Sequence, residues 1–387
     1  MALLASLLKW EKSPRMVLGI ASFGQEAPII FRKVSFVVDN VLSPYPWASV
    51  TGDAAGNVVS LSARAQRIES IPETLTIMET LSALDLSFNA LDELPAELEN
   101  LRRLNELRLD GNEFRDFPDV VLSFTGLRVL SLYKNRISNV PSELGKLREI
   151  RVLNLADNRL SSVPSQLGEL SRLHTLDLGH NELTELPSSL GDLNGLTQYL
   201  YLSYNRFASV PDSLCQLNRL RYLNITDNLL THLPEQIGNM AALRELRLYN
   251  NRLTELPRSF GALRELREAH LMGNALTGLP QEVGGLHDLR ELRLMDNNLT
   301  VLPESIGRLS RLRILDLRNN ELRRLPDSIG ELDQLTHLDL RNNGLDELPP
   351  ALATLPRLEK LDLRWNIIDP LPEWIATLEQ RGCAVLT

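Results

Sequence analysis

The chain holds only two cysteines, Cys215 and Cys383, among its 387 residues. That is too few for a disulfide framework or a zinc site, and free thiols suit a reducing compartment better than an oxidising one. Positive charge is also in deficit: 41 lysines and arginines stand against 50 aspartates and glutamates, a formal net charge of -9. No basic footprint offsets a phosphate backbone, so nucleic acid is not expected as a partner. There is no unbroken apolar run long enough for a membrane span. The apolar stretches 1–8 and 16–23 lack the order of charge, apolar core and cleavage site that marks a secretory leader. The triplets Asn224-Ile-Thr226 and Asn298-Leu-Thr300 would accept glycans only in a secreted chain, and in so asparagine-rich a sequence they read as chance.

Catalytic signatures are missing as well. Gly145-Lys146 lacks the upstream glycine of a phosphate loop, and the sequence contains no H-E-x-x-H. His174 and His180 read as two solvated side chains rather than metal ligands. Cys215 reads as a structural thiol on a semi-buried segment. No enzyme, no metal and no cofactor is expected.

What the chain does have is a period. Asn89, Asn112, Asn135, Asn158, Asn181, Asn205, Asn228, Asn251, Asn274, Asn297, Asn320, Asn343 and Asn366 fall in one column spaced by 23 residues, with a single spacing of 24 before Asn205. Gln66 holds the same column one period earlier. The unit reads L-x-x-L-x-L-x-x-N-x-L-x-x-L-P-x-x-L-G-x-L. Alternation in L-x-x-L-x-L specifies a short strand with one face buried and the other free. The column asparagine, able to donate and to accept, can satisfy backbone groups left unpaired where the strand ends. Fourteen prolines, from Pro72 to Pro372, open the returning segment, where fixed φ and a missing N–H suit the first turn of a short helix. Glycines such as Gly145, Gly168, Gly191, Gly238, Gly261 and Gly307 let the chain leave that segment tightly. Strands need about 4.8 Å each and helices about 10 Å, so stacked coils curve with the strands inside. The expected fold is an α/β solenoid: a horseshoe of about 14 repeats with a parallel concave sheet and short α or 3₁₀ segments on the convex side.

On these residues the chain resembles the leucine-rich-repeat family. Its Leu-Pro signature is most similar to the 23-residue class of intracellular Ras-binding scaffolds, plant intracellular Ras-group proteins and many bacterial repeat proteins. The resemblance implies a non-catalytic recognition or scaffold module in a signalling or host-interaction setting, with a protein partner such as a small GTPase or a phosphatase. Bacterial effector ubiquitin ligases join similar repeats to a catalytic domain, so one alternative is the substrate-recognition arm of an exported effector. No stretch of this chain is long enough to hold that domain. The other alternative is an extracellular receptor-like recognition protein. Trp47, Val50, Gly52 and Asp53, followed by Gly56, Val58 and Leu61, resemble the end of the N-terminal cap of plant receptor-type repeat proteins. Gly52 stands where that family has a cysteine, so the cap disulfide is absent and a cytoplasmic location is expected. The domain reading is residues 1–57 as an N-terminal cap or extra segment, 58–372 as the solenoid and 373–387 as a C-terminal cap. In the last, Trp374, Ile375 and Leu378 are expected to form a helix face, and 383–387 to add a final strand.

The third, fifth, seventh and eighth positions of L-x-x-L-x-L-x-x-N line the concave sheet or its rim. Six of the seven tyrosines lie there: Tyr133, Tyr199, Tyr201, Tyr204, Tyr222 and Tyr249. Five of them fall in three adjacent repeats. Tyrosine buries a large area yet keeps a hydroxyl to bond, so the cluster is a candidate partner-binding patch; β-propensity alone would scatter such residues over all strands. Asn224, Arg247, His270, Met272, Met295 and Arg293 lie around it. The extra residue between Leu196 and Leu200 is expected to form a bulge. Leu-Asp-Leu-Arg recurs in the last repeats, setting Arg318, Arg341 and Arg364 beside Asp316, Asp339 and Asp362, with Trp365 adjacent. This is either an arginine strip that grips carboxylates, anchored by Trp365, or a self-neutralised ladder.

Overall fold

A computed structural model describes residues 48–387; what the sequence implied for residues 1–47, Trp47 included, lies outside the described residues. Most strands are three residues long, with the fourth-position leucine at the centre of nearly all of them and Ala269 in its place in one. In β7 (Thr175–Asp177) Leu176 is buried while its neighbours face out. Sixteen strands line up in sequence order in one sheet. The first pair, β1 (Ser49–Gly52) and β2 (Val58–Ser62), is an antiparallel hairpin. Every later neighbour is parallel, and the register advances by one repeat, as in Leu223 opposite Leu246 and Leu246 opposite Ala269. The leucines of all coils merge into one continuous core.

The asparagine column joins each coil to the one before it. Asn181 Oδ1 accepts the Leu160 N–H of the preceding coil at 3.0 Å. Its Nδ2 donates back to the carbonyl of Leu155 at 3.0 Å and, within its own coil, to those of Leu178 and Gly179 at 3.1 Å. The same pattern recurs from Asn112 to Asn343, and most of these amides are buried. The asparagines therefore bond to backbone in neighbouring coils, which is how a strand end inside the solenoid avoids orphaned polar groups.

Two sequence expectations about the convex side need correction. Segments such as Ser142–Lys146 and Arg258–Ala262 are 3₁₀ turns. Their prolines sit one residue before the turn, in extended conformation: Pro141 has φ -71 and ψ 151. The Pro141 carbonyl then accepts the first turn bond, from Leu144 N–H at 3.1 Å. The glycines lie inside these turns, at ordinary φ, and serve close approach instead of an exit. A Cβ on Gly261 would come to 1.9 Å from the carbonyl oxygen of Glu282 in the next coil. Cys215 takes that glycine position, and the 3₁₀ turn of the next coil is shorter, Ile237–Asn239.

The extra residue before Asn205 makes no bulge. Pairing runs unbroken from Thr175 opposite Tyr199 to Tyr199 opposite Tyr222, and the insertion is absorbed ahead of Gln198, because Gln198 and Tyr199 N–H already make to the His174 carbonyl the pair of bonds that other coils make at this place. At the far end a helix (Ile375–Gln380) buries Ile375 and Leu378, and β16 (Ala384–Leu386) pairs with β15 (Lys360–Asp362).

Asn158→Ala strips the Ile137 N–H of its partner and removes one of the two amide donors to the Leu132 carbonyl, leaving that of Asn135. It should lower the unfolding free energy in urea by about 2–4 kcal/mol. Gly261→Ala should cost about 1–3 kcal/mol through the clash with Glu282. Gly278→Ala, which meets nothing within 4 Å, should change stability by less than about 0.5 kcal/mol in the same titration.

Candidate functional site: the concave face

Strand alternation puts third- and fifth-position side chains on the hollow side of the sheet. There Tyr199 and Tyr201 of β8 (Tyr199–Tyr201) meet Tyr222 of β9 (Tyr222–Asn224). Ring centroids are 5.9 Å apart for Tyr199–Tyr201, 5.5 Å for Tyr199–Tyr222 and 5.0 Å for Tyr201–Tyr222. The Arg247 guanidinium lies 5.6 Å from the Tyr222 ring centre. All three rings are half-buried. Burial pushes the Tyr222 phenol up to about 12 and raises Tyr201 further, so both hydroxyls remain donors at physiological pH. Tyr204 stacks on His180 with ring centres 4.1 Å apart, and Tyr249 holds the seventh position two coils further on. Tyr133 sits three coils earlier, apart from the cluster, its backbone N–H donating to Asp110 Oδ1 at 3.1 Å.

The eighth position carries a second regularity. Phe88, Lys134, His180, Tyr204 and Trp365 hold left-handed backbone there, with φ of 60, 57, 52, 53 and 62. Glycine, aspartate and asparagine fill most other coils at this position, as left-handed geometry favours. Aromatic residues gain nothing locally from it, and each accepts strain of about 1 kcal/mol. What they do gain is exposure: Tyr204 is 49% and Trp365 71% exposed.

Charges on the sheet are largely paired within it. Arg247 Nε is 2.6 Å from Glu245, Arg293 bonds Glu291, and His270 Nε2 is 3.4 Å from Glu268. Glu245, Glu268 and His270 bring donor atoms within 4.8 Å of one another, the one grouping among the described residues with metal-holding geometry. Arg247 and Arg293, bonded to Glu245 and to the adjacent Glu291, bring positive charge against any cation there. Arg318, Arg341 and Arg364 each fork onto the aspartate two residues earlier, with Nη2 2.7 Å from Asp316, Asp339 and Asp362 respectively. Arg341 also reaches Asp362 at 3.3 Å and Arg318 reaches Asp339 at 3.5 Å. The geometry is that of the self-neutralised ladder. Met295 Sδ accepts from Arg318 Nη2 at 3.0 Å, and Met272 is half-buried. Asn224 is buried, its Oδ1 engaged by the Thr226 N–H at 3.0 Å, so little of it faces outward.

One feature lies beyond the positions read from sequence. A shallow depression of about 430 Å³ opens beside the tyrosines, lined by Gln198, Tyr199, Arg221, Tyr222, Arg244 and Glu245. Gln198, Arg221 and Arg244 immediately precede the three-residue strands, a place the sequence reading did not count as lining. The signal was available: Arg221, Arg244, Arg267, Arg290 and Arg313 form a column at the repeat period.

A family model described as a leucine-rich repeat region matches residues 60–159, 119–214, 208–304 and 280–340, and one for leucine rich repeats in two copies matches 333–376. The chain belongs to the leucine-rich-repeat family. This leucine-rich-repeat chain is similar to a repeat protein of Leptospira interrogans, with 33% identity, 83% of this chain and 82% of that one covered, and a TM-score of 0.77. It is similar to a chain of the Toll–Spätzle complex of Drosophila at 26% identity, covering 83% of this chain and 46% of that one, TM-score 0.74. The Arabidopsis receptor kinase HAESA, in complex with the peptide hormone IDA and the co-receptor SERK1, gives 28% identity, 86% and 66% coverage and a TM-score of 0.62. No curated protein matches. Among the described residues no helix is long and apolar enough to cross a membrane.

Beside Tyr201, burial pushes the Asp177 carboxyl up to about 6, against the Gly179 N–H that favours its charge. A carboxyl raised on folding stabilises the protein below its unfolded value, and that stability is lost as pH rises through the folded one. Between about pH 4 and pH 7 the wild type should therefore lose about 1–2 kcal/mol relative to Asp177→Asn, read as converging or crossing urea midpoints.

Proposed function

We propose that this leucine-rich-repeat chain is a non-catalytic recognition module that binds a protein partner on its concave face, centred on the repeats from Tyr199 to His270. The observation that carries the reading is the three-ring cluster of Tyr199, Tyr201 and Tyr222, gathered on a sheet whose other lining residues are mostly charged or small. Clustered, partly desolvated tyrosines flanked by arginine have the composition of an interface hot spot. The paired charges around them set register and exclude mismatched partners. The exposed Tyr204 and Trp365 stand at the rim, large aromatic side chains at a left-handed position that glycine, aspartate or asparagine fills in most other coils. HAESA, a structural neighbour, is seen with a peptide hormone and a co-receptor, which supports the same use of this fold. The Leu-Pro repeat class favours a signalling setting, with a small GTPase or a phosphatase as partner. The two buried free thiols, Cys215 and Cys383, fit a cytoplasmic location.

Affinity capture from lysate of the source organism tests this reading. The comparison is wild type against a Tyr201→Ala, Tyr222→Ala, Tyr249→Ala variant of unchanged circular dichroism. Loss of hot-spot residues costs about 2 kcal/mol or more, so a partner held by the wild type should be depleted about 30-fold or more on the variant. Equal capture by both would refute the tyrosine site.

A further inference from the structure

Along the rim where the chain enters the sheet, Arg221, Arg244, Arg267, Arg290 and Arg313 stand on five consecutive coils. Their stacking is direct: the N–H of each bonds the carbonyl of the arginine one coil earlier, at 2.9 Å for Arg244 onto Arg221 and 2.8 Å for each of the other three. In a chain of net charge -9, such a row is an outlier. The carboxylates beside it do not neutralise it. Glu245 and Glu291, on the adjoining strand position, bond Arg247 and Arg293, and Glu268 bonds His270. Arg244 shares Glu265 at 3.2 Å; Arg221, Arg267, Arg290 and Arg313 have no ion pair among the described residues. The row begins at the depression lined by Arg221, Arg244 and the tyrosines.

We infer that this arginine row is the docking site for an extended, carboxylate-rich protein segment that crosses the strands along the rim and seats one end against the tyrosine depression. The inference rests on the recognition reading above and gives the partner its chemistry. Four steps of about 4.8 Å make a row of about 19 Å, the span of about six residues of extended chain. Guanidinium forks match carboxylates in geometry as well as charge. With a net charge of -9 over the chain as a whole, such a segment is favoured where the arginines are concentrated. A polynucleotide fits less well: the row is one side chain wide, with rings only at its first end, so successive bases would find nothing to stack on.

Fluorescence anisotropy of the full chain with fluorescein-labelled octaglutamate tests the inference, at about 20 mM and about 150 mM salt. Two non-overlapping variants, Arg221→Gln/Arg267→Gln and Arg290→Gln/Arg313→Gln, keep the test valid should one of them misfold. The wild type should bind octaglutamate, more weakly at the higher salt, and either folded variant should bind about fivefold more weakly or worse. Octaglutamate ignored by the wild type, or bound equally by a folded variant, overturns the proposal. So does labelled oligothymidylate binding as tightly as octaglutamate, which would make the row a nucleic-acid site. A partner captured undiminished by the arginine variants but lost by the tyrosine variant would sink this inference alone and leave the recognition reading in place.

Discussion

A single side-chain amide per coil, bonded to the backbone of the coil before it, is the interaction on which the rest of the structure depends. A three-residue strand cannot bury its own ends, because the chain turns inward there and leaves N–H and C=O groups inside a dry core. The amide of Asn181 satisfies groups in two coils at once, reaching back to Leu155 and Leu160 while holding Leu178 and Gly179 of its own. A coil is therefore complete only when its neighbour is present, and stability is a property of the stack.

That division of labour leaves a surface with few structural duties. Leucines, asparagines and the close glycine contacts hold the coils together, and none of them faces the hollow side. Third- and fifth-position residues are consequently at liberty to form the tyrosine cluster in one region, Glu–Arg pairs in the next and the Asp–Arg ladder in the last. The ladder is the part of this surface most fully neutralised from within. The tyrosine region and the arginine rim beside it are the parts where donors and rings remain on offer.

Period, strand, buried leucines and the role of the asparagine were legible in the sequence because each repeats at fixed spacing with a residue type suited to one task. Position within the turn was harder to read. Proline suits both the residue before a 3₁₀ turn and its first residue, and only the observed ψ of Pro141 separates them. Glycine at Gly261 signals either unusual φ or close packing, and it takes the approach of Glu282 to show which. The insertion before Asn205 was visible, yet nothing in the pattern says that it is taken up ahead of Gln198, where the regular pair of bonds to the preceding coil, here to the His174 carbonyl, resumes. On the concave face the tyrosines were legible from their scarcity. Asn224 looked available and is buried, because its short side chain turns back to its own backbone. The rim arginines escaped notice for the opposite reason, since the residue before each strand was taken to lie outside the lining.

Whether partner recognition occurs on the hollow side is decided most directly by placing a photo-crosslinking benzoylphenylalanine at Tyr222 in one protein and at Glu304, on the convex side, in another. Each protein is then irradiated in lysate of the source organism. A discrete adduct from position 222 and none from 304 is the result this account predicts. An adduct formed from 304 alone would place the interface on the outer side of the horseshoe and contradict it.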